Sequence, residues 1–120
     1  MTKSKMNNLL NIFKTLSDKN RLRILMILYE KELCVCEIQE IIQVTISTVS
    51  KHLSILKSAG FIEERKEGKW VYYHIAKNFT NTPLREILFI LPSWLKGEAE
   101  IEKDIEKVKN IKEVITCSTK

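Results

Sequence analysis

The chain has 120 residues, 44% of them hydrophobic, and a formal net charge of +5 at pH 7. This length predicts a single domain, and the modest positive charge permits a nucleic acid as partner without requiring one. No apolar run reaches the roughly 18 residues of a membrane span, and the polar start MTKSKMNN lacks the apolar core of a signal peptide. We therefore expect one domain over residues 1–120, located in the cytoplasm and without a membrane partner.

Two helices are predicted at the beginning of the chain. The segment Asn7 to Leu16 places its apolar residues on one side. Ser17 or Asp18 can cap the following helix, which runs from Lys19 to about Glu30. Apolar residues nearly surround this second helix, and such a helix is expected to be central and buried.

Residues 32–60 are predicted to form two helices joined by a short turn. Cys36 to Gln43 makes the first helix, and Val44 and Thr45 make the turn, where the Thr45 hydroxyl can cap the second helix. We expect Ile46 to pack inside the turn, although an exposed isoleucine there would suit a thymine methyl group. The apolar stripe of the second helix consists of Val49, Leu53 and Leu56. Another face carries short polar and basic side chains suited to phosphate oxygens or base edges: Ser47, Ser50, Lys51, Ser54 and Lys57.

The hydrophobic period changes between Phe61 and Ala76. Aromatic and β-branched residues flank a turn at Glu67-Gly68-Lys69, which predicts a β-hairpin. A two-stranded hairpin alone is marginally stable, so we expect it to pack on the helices, through Trp70 or Tyr72 on one face and Tyr73 on the other. The basic side chains near its tip, which are suited to phosphates, are Arg65, Lys66 and Lys69.

The last third of the chain is predicted to be helical. Pro83 can start a helix, and Pro92 should kink or interrupt it. From Glu98 onward, apolar residues recur three and four positions apart among alternating charges, a pattern typical of helix pairing. Because so small a domain has little core left for them, we expect the helices at about residues 7–16 and 83–115 to form a dimer interface.

The three cysteines are odd in number, which argues against a disulfide framework. Cys34 and Cys36 point about 200° apart in an ideal helix but in the same direction in extended chain. Both sulfurs therefore reach one ion only where the start of the helix is irregular. We expect the helix N-terminus to lower the pKa of these thiols, and thiolates select soft ions. Alternatively, both are small buried side chains without a ligand.

Three stretches resemble the ArsR/SmtB family of bacterial winged-helix repressors, over roughly residues 7–110. The segment STVSKHL (47–53) is similar to the recognition helix of that family, and LSDKNRLRIL (16–25) is similar to its preceding helix. The segment ELCVCE (32–37) matches the metal-sensing motif of the branch that responds to arsenite, antimonite, cadmium or lead. The chain departs from that branch at Gln39, where arsenic-sensing relatives often have a third cysteine, and in its cysteine-free N-terminal arm.

The resemblance implies a mainly α, dimeric winged helix-turn-helix with a β-hairpin wing. It implies a homodimeric repressor that binds a double-stranded DNA operator and has neither enzymatic activity nor an obligatory cofactor. Arsenite or antimonite would act as the inducer that releases the DNA. The implied ligands are Cys34 and Cys36. The remaining thiol of the chain, Cys117, is a further candidate ligand, from the same or the other subunit. The implied DNA contacts are Thr45, Ser47, Thr48, Ser50, Lys51, His52, Ser54, Lys57, Arg65, Lys66 and Lys69.

Other functions stay open at this stage. A repressor of the same fold could respond to thiol oxidation or persulfides, or to cadmium or lead. A constitutive DNA-binding architectural protein with inert cysteines would show DNA affinity indifferent to arsenite. For an enzyme, the sequence offers neither a glycine-rich phosphate loop nor a set of nucleophile, base and acid.

Overall fold

The structure, a computed structural model, describes residues 4–111. The helices are α1 (Lys5–Leu16), α2 (Lys19–Glu30), α3 (Val35–Ile42), α4 (Ile46–Ser58), α5 (Thr82–Trp94) and α6 (Ala99–Asn110). The strands are β1 (Leu33–Cys34), β2 (Ile62–Glu67) and β3 (Trp70–Ile75). The fold is thus mainly helical with a small antiparallel sheet, which confirms the predicted class.

Local sequence explains where several helices begin. The Asp18 carboxylate accepts a bond of 3.0 Å from the Arg21 amide at the start of α2, and the Thr45 hydroxyl accepts one of 3.2 Å from the Thr48 amide at the start of α4. Each bond satisfies an amide that has no partner within its helix. Both caps were predicted from the sequence.

The central helix is α2, as its nearly continuous apolar surface predicts. Its residues Ile24 to Leu28 are buried, and they join the inward faces of the other five helices in one core. Phe61 and Ile62 extend that core to the start of the hairpin. The recognition unit formed by α3 and α4 therefore rests on α2.

The sheet has three strands in the order β1-β3-β2, all antiparallel. Strands β2 and β3 form the predicted hairpin, while β1 is a strand that the sequence pattern did not predict. Tyr73 packs against the core as expected, whereas Trp70 and Tyr72 stack on each other with ring centroids 6.3 Å apart. The first cysteine, Cys34, is thus part of the wing sheet.

The last two helices differ from the prediction. Helix α5 continues past Pro92 to Trp94. Proline has no amide proton for the carbonyl four residues earlier, and the Tyr29 hydroxyl donates to that carbonyl, Leu88 O, at 2.5 Å instead. Helix α6 buries Ile101 and Val108 in the core of its own subunit. The core therefore has room for part of the α6 stripe, because α6 packs on α2, and the place of α6 in a dimer interface stays a prediction. Within residues 4–111 no helix is both long and apolar enough to cross a membrane.

Candidate nucleic-acid interface and cysteine site

The turn between α3 and α4 is fixed by two features of its backbone. Gln43 ends α3 in the left-handed conformation, with φ of 62°, which reverses the chain direction after the helix. The side-chain amide of Gln39 donates to the Val44 carbonyl at 3.1 Å. Gln39 therefore holds the turn that orients α4.

Helix α4 has the two faces that the sequence predicted. Val49, Leu53 and Leu56 are buried against the core. Ile46 is 39% exposed, so the expectation that it packs inside the turn is wrong. The exposed polar side chains of the helix are Ser47, Ser50, Lys51, Ser54 and Lys57.

Two of the predicted contact residues also hold the start of α4. The hydroxyls of Thr45 and Thr48 are bonded to each other at 2.8 Å, and Ser47 lies 3.2 Å from the Thr45 hydroxyl. Thr45 and Ser47 are exposed and Thr48 is half-buried. This threonine pair presents a preorganised polar surface at the N-terminus of the helix.

His52 differs from the other predicted contacts, because its ring faces inward and is only 8% exposed. Its Nδ1 lies 3.2 Å from Arg21 Nη1, and its Nε2 lies 3.8 Å from an Asp18 carboxylate oxygen. Burial lowers the pKa of His52, and the nearby positive charges of Arg21 and Lys51 lower it further, against the opposing effect of Asp18. The sequence held the signal: His52 lies three residues after Val49, on the apolar stripe.

The basic residues of the wing fall into two groups. Arg65 is bonded to the carboxylates of Glu32 and Glu67, and Lys57 of α4 is paired with Glu64. The Arg65 guanidinium holds the pKa of the Glu32 carboxyl below its usual range. In the part of the chain that the structure describes, no ion pair engages Lys66 or Lys69, and both are exposed. Lys66 and Lys69 are therefore better placed to meet a phosphate than Arg65.

The cysteine pair straddles a boundary between strand and helix. Cys34 closes β1 in extended conformation, with φ of −90° and ψ of 170°, and is the N-cap of α3. Cys36 is the second residue of α3 and is half-buried. The start of the helix is thus irregular, as a shared ion requires of this spacing. Cys117, the third predicted ligand, lies outside the described residues.

The ionisation expected for the first thiol is wrong. Cys34 is only 4% exposed, and burial raises the pKa of its thiol, with a further rise from the nearby Glu37 carboxylate. Amide bonds at the helix start act in the opposite direction but are outweighed. The Glu37 carboxylate accepts from the Cys34 amide at 3.0 Å, the second half of a capping box. The thiol therefore stays protonated at neutral pH, and a captured ion must displace its proton.

The donor set within residues 4–111 is incomplete. No three histidine, cysteine, aspartate or glutamate side chains in that range are grouped to hold a metal ion. As thiolates, Cys34 and Cys36 would supply two donors of the three-sulfur set that arsenite and antimonite favour, and thiolates suit soft ions in general. A third donor would have to come from outside the described residues, from solvent or from a second subunit.

The recognition pair α3–α4, resting on α2 and followed by the β2–β3 hairpin, defines a winged helix-turn-helix. The family described as "Bacterial regulatory protein, arsR family" matches residues 18–64, which span α2 to the middle of β2. An arsenic resistance transcriptional regulator, ArsR1 of Pseudomonas putida, is 34% identical over 92 residues, covering 73% of this chain and 72% of that protein. The chain belongs to the arsR family of bacterial regulatory proteins.

Two further comparisons support the assignment. The cadmium resistance transcriptional regulatory protein CadC of Listeria innocua is 47% identical over 76 residues, covering 62% of this chain. The chain spans 63% of the length of that relative. The homodimeric winged helix-turn-helix DNA-binding domain Mb0332 of Mycobacterium bovis matches with a TM-score of 0.63 and 25% identity, covering 82% of this chain and 94% of that domain. These proteins are regulators rather than enzymes, in agreement with the expectation from the sequence.

Proposed function

We propose that the protein is a homodimeric transcriptional repressor that binds operator DNA and releases it when its cysteines capture a thiophilic ion. The observation that carries the proposal is one compact unit: the exposed polar face of α4 follows directly on a helix whose start contains Cys34 and Cys36. Arsenite or antimonite is the inducer that we favour, because both ions prefer thiolate donors. The relatives named for arsenic and for cadmium resistance support a thiophilic ion and keep cadmium or lead as the second candidate.

DNA contacts are assigned to side chains that are exposed and available. We assign base-edge and phosphate contacts to Ser47, Ser50, Lys51 and Ser54 of α4, with Thr45 and Thr48 at its first turn and phosphate contacts to Lys66 and Lys69 of the wing. Lys57 is exposed but paired with Glu64, so a phosphate would have to replace that carboxylate. His52 serves to position α4 and contacts no DNA.

The dimer surface is assigned to α1 and α5. Both helices expose large apolar side chains that the subunit itself does not cover: Met6, Leu9, Leu10 and Phe13 on α1, with Phe89 and Trp94 on α5. Asn8 and Asn81 exchange two side-chain bonds of 3.1 and 2.9 Å, which hold the beginning of α5 beside α1. Exposed apolar surface of this kind commonly marks a contact between proteins.

In the dimer, two recognition helices would enter successive major grooves about 34 Å apart on an imperfect palindrome. Binding should weaken steeply with salt, because each phosphate contact releases a counterion. Cytoplasmic location and the absence of a cofactor other than the inducer remain part of this proposal.

The DNA-reading part of the proposal is tested with Lys51→Met. DNA duplexes that the protein selects from a random-sequence pool serve as probe, and affinity is measured by fluorescence anisotropy at several salt concentrations. Removing one phosphate contact from each subunit should weaken binding and reduce the salt slope by about 1 per subunit. The control is Lys96→Met, an exposed lysine beyond α5, which should bind as the parent does. Equal affinity of both variants and the parent, or binding that does not vary with salt, would contradict the assignment.

A further inference from the structure

The cysteine segment is physically part of the wing. In the three-stranded sheet, Cys34 of β1 lies opposite Tyr72 of β3, and Tyr72 lies opposite Arg65 of β2. Residues in such a cross-strand row share one face of the sheet and are in contact range of their neighbours. One row of three residues therefore runs from the first thiol to the outer strand of the wing.

Arg65 closes this row back onto the cysteine segment. Its Nε lies 3.0 and 3.1 Å from the two carboxylate oxygens of Glu32, and its Nη2 lies 2.6 Å from one of them. Its Nη1 donates to Glu67, and the guanidinium carbon lies 4.8 Å from the centre of the Tyr72 ring. Glu32 directly precedes β1. We call the bonds of Arg65 to Glu32 and Glu67 the wing clamp.

The clamp makes Arg65 a poor phosphate contact. All three guanidinium nitrogens are already bonded to carboxylates, and the group of Arg65, Glu32 and Glu67 carries a net negative charge. A phosphate would have to displace a carboxylate that already has the forked geometry arginine favours. Lys66, the next residue along β2, is engaged in no ion pair within the part of the chain that the structure describes.

We propose that Arg65 is a positioning residue that transmits the state of the cysteine segment to the wing. This inference rests on the proposed function and assigns it a route. Strand β1 has only two residues and two cross-strand pairs, so a change at Cys34 meets little resistance from the strand itself. Glu32 moves with β1, and its bonds to Arg65 carry that movement to β2 and the wing tip.

The forked geometry is what makes a surface contact effective here. A single exposed ion pair holds its partners loosely, but a guanidinium bonded through Nε and Nη2 to one carboxylate fixes both position and orientation. Stacking of the same guanidinium on Tyr72 ties it to β3 as well. Capture of an ion at the start of α3 therefore reorients the wing relative to α4, and the DNA-bound arrangement of the two is lost.

The test compares Arg65→Met with Lys66→Met as a matched control in the neighbouring position. For each, DNA affinity is measured with and without sodium arsenite and, separately, cadmium chloride, and the ratio of the two affinities is the coupling. Allosteric coupling between two sites typically changes an affinity about 5- to 150-fold, and we expect a ratio in this range for the parent. Arg65→Met should reduce the ratio to within about twofold of one, with little change in salt slope. Lys66→Met should lower the slope by about 1 per subunit and leave the ratio of the two affinities as in the parent.

Charge reversal separates the clamp from a general structural effect of Arg65. Glu32→Gln should reduce the coupling between ion and DNA as Arg65→Met does. The double variant Glu32→Arg with Arg65→Glu should restore part of that coupling. Restoration requires that the two side chains act on each other, which a merely structural residue would not show. Full coupling in Arg65→Met, or loss of the salt slope in Arg65→Met equal to that in Lys66→Met, would overturn the inference.

A readout without DNA keeps this inference distinct from the proposed function. The chain has two tryptophans, and in a Trp94→Phe background the emission reports on Trp70, which stacks on Tyr72 beside the clamp. Cadmium chloride or sodium arsenite should change this emission, and Arg65→Met should abolish the change. If neither ion releases DNA from the parent, the proposed function fails, but an Arg65-dependent change in Trp70 emission would still support the link. An unchanged emission, or a change that persists in Arg65→Met, would overturn it.

Discussion

At the scale of single residues, three polar side chains join the end of α1 to the recognition helix. Arg21 donates from Nε to the Thr15 carbonyl at 2.7 Å and reaches His52 through Nη1. Asp18 accepts from the Arg21 amide and faces the other side of the imidazole. Because α1 is also assigned to the dimer surface, this group fixes α4 relative to the helix that would meet a second subunit.

His52 should make stability depend on pH as the pH falls below about 6.5, the usual pKa of an imidazole. Burial is the chief cause that holds its pKa in the folded protein below the usual 6.5. Above that value the imidazole is neutral in both states. Below it the unfolded chain binds the proton more readily, so the free energy of unfolding falls as pH falls. The pKa of Asp18 is lowered from 3.8, despite the opposing effect of its burial, and Asp18 therefore titrates in a more acidic range.

Urea denaturation across this pH range checks the prediction. The parent should lose stability toward acid, and His52→Gln, which retains hydrogen-bonding groups without titrating, should show a flatter profile. Parallel profiles of stability against pH for the two proteins would contradict the prediction, because they would mean that folding does not change the pKa of His52.

At the scale of secondary-structure elements, α6 is held to α2 by a buried ion pair. Arg23 Nε and Nη2 lie 2.8 and 2.9 Å from the two carboxylate oxygens of Asp104, whose side chain is 2% exposed. A second pair between the same helices, Lys19 with Glu100 at 2.7 Å, is exposed. The two pairs join the same elements but differ in burial.

Asp104→Ala should therefore destabilise the protein far more than Lys19→Ala. Removing one partner of a buried pair costs about 3–5 kcal/mol when the other charge is left unpaired, and here the only charged partner that Arg23 would keep within residues 4–111 is Glu100, at 3.7 Å. An exposed pair contributes about 0.2–1 kcal/mol. Denaturant midpoints of the two variants against the parent measure both effects. Equal shifts would show that the Arg23–Asp104 pair is as solvated as the pair at the surface.

The elements that the sequence predicted depend on residues close together in the chain. The caps at Asp18 and Thr45 act over three residues, and the hairpin is specified by aromatic and β-branched residues around Gly68. The features that were not predicted join distant residues: β1 pairs with β3, and Tyr29 satisfies the carbonyl exposed by Pro92. No local pattern specifies such pairs, because each partner has an ordinary neighbourhood of its own.

The same reasoning applies to the candidate site. The spacing of Cys34 and Cys36 made a shared ion conditional on a non-helical residue at the helix start, and Cys34 is extended there. The raised pKa of Cys34 and the engagement of Arg65 by Glu32 both depend on tertiary packing, which composition and spacing do not reveal. The inward orientation of His52 was readable from its helical position.

At the scale of the whole molecule, the uncovered apolar residues of α1 and α5 should hold two subunits together. Phe89 is 85% exposed, so Phe89→Glu should not disturb the fold of the subunit. In a dimer it would place a carboxylate in an apolar contact, where burial of an unpaired charge is strongly unfavourable. Analytical ultracentrifugation should show a monomer.

Ile46→Glu is the matched control for that substitution. Ile46 is also an exposed apolar residue, but it lies at the first turn of α4, on the proposed DNA surface. Ile46→Glu should leave the dimer intact and should weaken DNA binding, because the added carboxylate repels the phosphates. If the Phe89→Glu protein sediments as a dimer, the assignment of the dimer surface to α5 is wrong.

The central claim is that ion capture by the cysteines releases DNA, and one measurement tests it most directly. DNA affinity is measured for the parent, Cys34→Ser, Cys36→Ser and Cys117→Ser, with and without sodium arsenite, and again with antimonite, cadmium and lead. Serine is a good N-cap, so Cys34→Ser should keep the start of α3 and bind DNA without an ion. A thiophilic ion should weaken DNA binding by the parent about 5- to 150-fold. Cys34→Ser and Cys36→Ser should keep their DNA affinity when the ion is added. Cys117→Ser should show a weakened release of DNA if Cys117 supplies the third sulfur. A parent that no ion releases, or cysteine variants that are released as fully as the parent, would contradict the account.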